Sequence, residues 1–222
     1  PAWHPSGSML ACVAWNAPQM PWDGCELRMV KLQLADGVLR AESVRTVAGG
    51  NGTAIFQPEF SPDGRYLAYV SDAGGWGQIH LQNLETGEQR RLTDVTAEHA
   101  RPAWVQGMRT LAWARDSTSV FALRNEMGNV RLWRYGLDGA EAEVGAAADY
   151  SEFDSISVAP DDDMLACVVS ASTTPQRVVA FSPQAGGGAE VIEYSREAPL
   201  PATALSAARA VQWRSVGDEV AH

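Results

Sequence analysis

The stretch Phe60-Ser61-Pro62-Asp63-Gly64-Arg65-Tyr66-Leu67-Ala68-Tyr69-Val70 decides the fold class. An aromatic closes one strand, Pro-Asp-Gly makes a tight turn, and an apolar alternation opens the return strand. Proline presets φ in such a turn, aspartate bonds the local backbone, and glycine accepts positive φ. Related copies begin at Trp3 (WHPSGSMLAC), Trp113 (WARDSTSVFA) and Val158 (VAPDDDMLAC), and the residue seven places on is apolar in each: Leu10, Leu67, Val120 and Leu165. The starts lie 57, 53 and 45 residues apart, near the roughly 40–50 of propeller blades. The chain is therefore expected to be all-β, a β-propeller with about four four-stranded blades.

The second repeat shows the whole unit. Strand A is expected over 57–61, strand B over 66–71, strand C over 78–84 and strand D over 89–93. The first repeat places strands B, C and D over 9–15, 26–34 and 39–47; the fourth places them over 164–170, 177–181 and 190–194. The third admits two registers. Aligning Pro102-Ala103-Trp104 with Pro58-Glu59-Phe60 leaves the clear strand 120–123 without a place. Starting from Trp113 is preferred, and it makes 97–109 an enlarged crossing loop. Blades are thus expected over 1–50, 51–97, 98–149 and 150–194, with a linker and strand over 195–222. Because residue 1 falls inside a repeat, the array is expected to be part of a larger propeller; a compact ring of four or five blades is the alternative.

Bulk properties narrow the function classes. The 222 residues carry a net charge of −10 and are 45% hydrophobic, ample for a packed core. Nucleic-acid binding needs clustered Lys and Arg, so no such partner is expected. No apolar run approaches the roughly 18 residues of a membrane span. Cys12, Cys25 and Cys167 are too few and scattered for a disulfide framework, so a reducing, cytoplasmic setting is expected. Cys12 and Cys167 occupy equivalent repeat positions and read as small buried strand residues.

The chain shows no Gly-x-Ser-x-Gly elbow, no phosphate loop and no zinc spacing among its four histidines. Asp161-Asp162-Asp163 coincides with a turn and lacks the rest of a calcium loop. Neither a catalytic residue nor a metal or cofactor is expected. Two segments exceed what blades need: Asn16–Gly24 and the crossing loop. Strand alternation puts both at one end, with Trp22, Trp76 and Trp104. Exposed aromatics there read either as a docking surface or as caps on their own blades.

The strings FSPDGRYLAYVS and LETGEQRRLT resemble the TolB- and WD40-like propeller repeats shared with serine peptidases of the prolyl oligopeptidase family. Met20-Pro21-Trp22-Asp23-Gly24, Ile55-Phe56-Gln57-Pro58-Glu59-Phe60 and Pro102-Ala103-Trp104-Val105-Gln106-Gly107-Met108 are similar to its dipeptidyl-aminopeptidase/acylaminoacyl-peptidase branch. The tail from Val211 resembles the strand leading into an α/β-hydrolase domain, although Trp213 and Val220 also fit a fifth blade. The resemblance implies a non-catalytic propeller that gates access and orients peptide substrates for a hydrolase domain beyond residue 222. Trp22, Asp23, Trp76, Arg101 and Trp104 would then lie near the shared cavity, with Asp23 facing a substrate amine. A free-standing TolB-like protein-binding propeller is the alternative, and an in-blade enzyme is disfavoured by the lack of a His or carboxylate cluster. Open blade edges allow self-association.

Overall fold

The computed structural model describes residues 1–184, 188–196, 201–218 and 220–221. Part of the expected turn 184–188, part of the expected linker and the tail residues Glu219 and His222 lie outside them. Four antiparallel four-stranded sheets follow one another along the chain. The first holds β1 (Ala2–Trp3), β2 (Met9–Ala14), β3 (Cys25–Ala35) and β4 (Val38–Gly50). The second holds β5 (Ile55–Phe60), β6 (Tyr66–Ser71), β7 (Gln78–Asn83) and β8 (Gln89–Arg91). The third holds β9 (Leu111–Trp113), β10 (Ser119–Glu126), β11 (Asn129–Gly136) and β12 (Glu141–Glu143). The fourth holds β13 (Glu152–Val158), β14 (Leu165–Ala171), β15 (Thr174–Phe181) and β16 (Glu190–Tyr194). The register that starts at Trp113 is the one adopted. Among the described residues no helix is long and apolar enough to cross a membrane.

Successive strand residues point to opposite faces, and each inner sheet is apolar on both. Leu67 and Tyr69 pack toward the first sheet with Leu27, Met29 and Phe60. Their neighbours Ala68 and Val70 pack toward the third, with Leu111, Trp113 and Val120. In β10 the pattern repeats: Val120 and Ala122 join that second core, whereas Phe121 and Leu123 join the third core with Phe153, Ile156 and Leu165. Three apolar cores thus separate four sheets, the radial stacking of a propeller.

The turn residues behave as their chemistry dictates. Gly64 sits at φ 72°, and Asp63 Oδ1 accepts from the Ser61 hydroxyl (2.6 Å) and the Arg65 N–H (3.0 Å). A Cβ on Gly64 would come within 2.6 Å of His4 Nε2, which lies 2.9 Å from the Gly64 carbonyl. The next turn continues the chain of contacts, since the Asp63 N–H donates to Ser117 Oγ (3.1 Å).

Cys12 and Cys167 share a repeat position but not an environment. Cys167 is buried against the third sheet, and burial pushes its thiol up to about 12. Cys12 is only half-buried. His80 lies half-buried on β7, stacked on Tyr69 with ring centroids 5.4 Å apart. In the tail, β17 (Trp213–Arg214) and β18 (Val220–Ala221) form a separate antiparallel pair. Trp213 faces Ala221 there, one residue farther along than the Phe60–Leu67 pairing of the repeats.

Leu67→Ala opens a cavity between the first two sheets and is expected to lower unfolding free energy by about 3 kcal/mol. Leu34→Ala, at a side chain 71% exposed on the β3–β4 hairpin, should stay within about 0.5 kcal/mol. Urea unfolding of both variants checks the contrast, and equal losses would contradict the assigned stacking.

Candidate functional site

Loops joining strands B to C, and strand D to the next strand A, share one end of the array. The B–C loop after β2 meets the long connection between β8 and β9 there. The connection is pinned at its start. Glu98 and Asn125 exchange backbone bonds of 3.1 and 2.8 Å, and the Glu98 carboxylate accepts from the Gly77 and Ala100 N–H groups. His99 is 2% exposed. Its Nδ1 donates to the Gly77 carbonyl (2.9 Å), which can only accept, so Nε2 accepts from the Tyr135 hydroxyl (2.9 Å). Burial holds the His99 pKa down to about 4.

The inner strand β5 carries the second element. Gln57 and Pro58 stand opposite one residue of β6, which breaks the register between Phe56 and Glu59. Gln57 sits at φ 43°, a left-handed conformation before a proline that costs on the order of 1–3 kcal/mol. Its side-chain amide offsets that cost on the neighbouring sheet. Oε1 accepts from the Thr110 and Leu111 N–H groups (2.6 and 3.1 Å), and Nε2 donates to the Leu111 carbonyl (2.7 Å) and to Glu59 Oε2 (2.9 Å).

Glu59, with a side chain 22% exposed, accepts at both oxygens from Arg109 Nη2 (2.8 Å each). Burial raises its carboxyl above the ordinary range, while Arg109 and Gln57 pull it back. Arg101 reaches the fourth sheet, where it pairs with Glu152, donates to Asp154 (3.2 Å) and donates to the Phe153 carbonyl (2.6 Å).

Two cavities adjoin in this region and share Pro21, Ile55, Phe56 and Ala103. The larger, about 580 Å³, is walled by Trp3, Trp15, Phe56 and Met108, with Glu59 and Arg109 in its lining. The smaller, about 90 Å³, is lined by Trp22, Arg101, Asp72 and Glu98 among others.

Of the residues expected from sequence, Trp22 and Arg101 come together in the smaller cavity. Asp23, Trp76 and Trp104 line neither cavity. The Asp23 carboxylate accepts from the Met20 N–H (3.2 Å) and closes its own turn. Trp76 and Trp104 are exposed, Trp104 to 72%. Gln57, Glu59 and Arg109 were not expected as site residues. A proline inside a strand followed by an acid at 59 was the available signal; Arg109, fifty residues away, carried none.

No protein-family model matches the chain. A puromycin-hydrolysing peptidase of Mycobacterium tuberculosis is similar across 97% of this chain at 26% identity and a TM-score of 0.83. The match covers 31% of that protein. Prolyl oligopeptidase B from Galerina marginata superposes over 97% of this chain (TM-score 0.70, 13% identity), covering 28% of its length, and TolB from Acinetobacter baumannii over 87% (TM-score 0.63, 17% identity), covering 43%. These two speak to the fold. Among curated proteins, an uncharacterised peptidase, YuxL, of Bacillus subtilis is 44% identical over 48 residues, 21% of this chain and 7% of that one. The chain thus resembles the propeller portion of puromycin-hydrolysing peptidases and prolyl oligopeptidases and spans about a third of their length.

Arg109→Met leaves the partly buried Glu59 carboxylate with Gln57 as its remaining partner and is expected to cost about 1–2 kcal/mol; adding Glu59→Gln should recover most of it. Denaturation of the four members of that double-mutant cycle measures the coupling, and additive losses would argue against the pair. His99 titrates near 4 folded and about 6.5 unfolded, so the unfolded chain binds the extra proton between those values. Stability therefore falls as pH drops through that window, by up to about 3 kcal/mol. Comparing wild type with His99→Gln between about pH 6.5 and 5 tests this, because the variant should show a shallower loss.

Proposed function

We propose that this chain acts as the non-catalytic propeller portion of a serine peptidase, gating access and orienting peptide substrates for a hydrolase domain. The observation that carries this reading is the 26% identity sustained over 97% of the chain with a puromycin-hydrolysing peptidase. TolB, at 17% identity over 87%, is a weaker likeness, which ranks a free-standing protein-binding propeller second. The site geometry fits the role. Two neighbouring sheets and one long connection enclose cavities at a single end, where a docked domain would close them. The connection is held at both ends, by His99 and Glu98 at its start and by Arg109 at its finish. Within this reading the dipeptidyl-aminopeptidase/acylaminoacyl-peptidase branch is the finer assignment, with peptides and small substrates admitted. Free thiols at Cys12, Cys25 and Cys167 suit a reducing, cytoplasmic compartment.

In the longer enzyme that this reading implies, Trp22→Ala should raise KM several-fold for short peptides and leave kcat within about twofold, the pattern of lost ground-state binding. Steady-state kinetics with three peptides of different length checks it. Unchanged KM for all three would remove the orienting role.

A further inference from the structure

We propose that the larger cavity, between the first two sheets and the long connection, binds an aromatic side chain of a peptide together with that peptide's carbonyl or carboxylate oxygen. The inference deepens the substrate-orienting reading and rests on it for its biological setting. The binding itself is a property of this chain alone.

Size and wall come first. A volume of about 580 Å³ lies within the roughly 300–1,000 Å³ of small-ligand sites, which are mostly apolar with a few placed polar groups. Trp15 is 48% exposed. Large aromatics are normally among the most buried side chains, so this indole in the lining is apolar surface left uncovered. Phe56 and Met108 continue that wall. An aromatic ring gains offset or edge contacts with indole in addition to burial, and the methionine thioether adapts to ring shape.

Polarity comes second, and it selects the ligand's other half. The Glu59 carboxylate accepts from Arg109 at both oxygens and from Gln57. It is therefore already neutralised and has little to offer a ligand ammonium. Arg109 differs: Nη2 faces Glu59, Nε lies 3.4 Å from the Ile156 carbonyl, and Nη1 has no hydrogen-bond partner among the described residues. A guanidinium carries five donors and no acceptor. The side chain is 42% exposed and lines the cavity, so the open Nη1 donors favour an oxygen acceptor. Gln57 holds the arrangement from behind, since its own amide is fully engaged.

The chemistry predicted for the occupant is thus an aromatic ring a few bonds from an oxygen acceptor, with no reward for a free amine. Three probes separate the possibilities on the purified 222-residue chain. N-acetyl-tryptophan amide offers a carbonyl, N-acetyl-tryptophan offers a carboxylate, and tryptamine offers only the ring and an ammonium. Titration followed by NMR or calorimetry should give saturable binding of the first two and at least about tenfold weaker binding of tryptamine, the discrimination expected of one charge-assisted hydrogen bond. Trp15→Ala should weaken the first two about fivefold or more. The pair Glu59→Gln/Arg109→Met, which leaves no stranded charge, should erase the preference over tryptamine. Absence of saturable binding by both acetylated probes, or equal affinity for all three, would overturn the assignment. Unaltered affinity in both variants, with folding verified by circular dichroism, would do the same. The orienting role fails separately, through unchanged KM in Trp22→Ala, so the two readings can fall independently.

Discussion

The structure depends on one constraint: a strand whose two faces are both apolar must be covered on both. In the second and third sheets, the central strands β6 and β10 have this character, with Leu67, Ala68, Tyr69 and Val70 all within 2% exposure. A single sheet cannot bury such a strand, and a pair can cover only one face. Stacking sheet after sheet is the remaining solution, with each interface supplying the apolar area that the sheets lack alone. The small residues Ala68 and Ala122 both lie in the second core, where their size lets twisted sheets approach closely. The same logic is visible at Cys167, which is buried in the core between the third and fourth sheets.

That constraint also places the candidate site. Once the sheets stack, loops from one end converge, and the inner strands of neighbouring sheets come within side-chain reach. Those inner edges retain unpaired backbone groups, which cannot be left without partners where water is excluded. The Gln57 amide meets the need at β9 and reads as a side chain standing in for a ladder. Its left-handed backbone is the local strain that aims it there. The ion pair of Glu59 and Arg109, and the reach of Arg101 to Glu152 and Asp154, bridge the same inner ring.

The repeat, its strands and its turns were legible because they are local. Tyr66–Ser71 follows from alternation, and Gly64 from a turn that needs positive φ. The choice of Trp113 over Trp104 as the aromatic of the third repeat was also legible, since only that register housed 120–123. The site was less so. Trp22 and Arg101 could be placed at one common end by strand alternation alone, and they do share a cavity lining. Asp23, Trp76 and Trp104 sit at the same end but turn elsewhere, because alternation fixes which end a loop occupies and says nothing about side-chain direction. Gln57, Glu59 and Arg109 depend on a bulge and on pairing across fifty residues. Neither leaves a periodic trace.

Packing and site are not separable here. The polar groups that tie inner strands together also line the larger cavity, so its shape is set by sheet spacing as well as by the residues on its wall. Partly solvated ion pairs contribute little net stability on their own, and the apolar cores supply most of it. The role left to the Glu59–Arg109 pair is geometric: it fixes the distance between β5 and the end of the long connection. Phe56 belongs to the second core and Met108 packs against it, so that core and the cavity wall share residues. The shape of this cavity is thus coupled to the stacking of whole sheets, and residues buried away from its wall contribute to it.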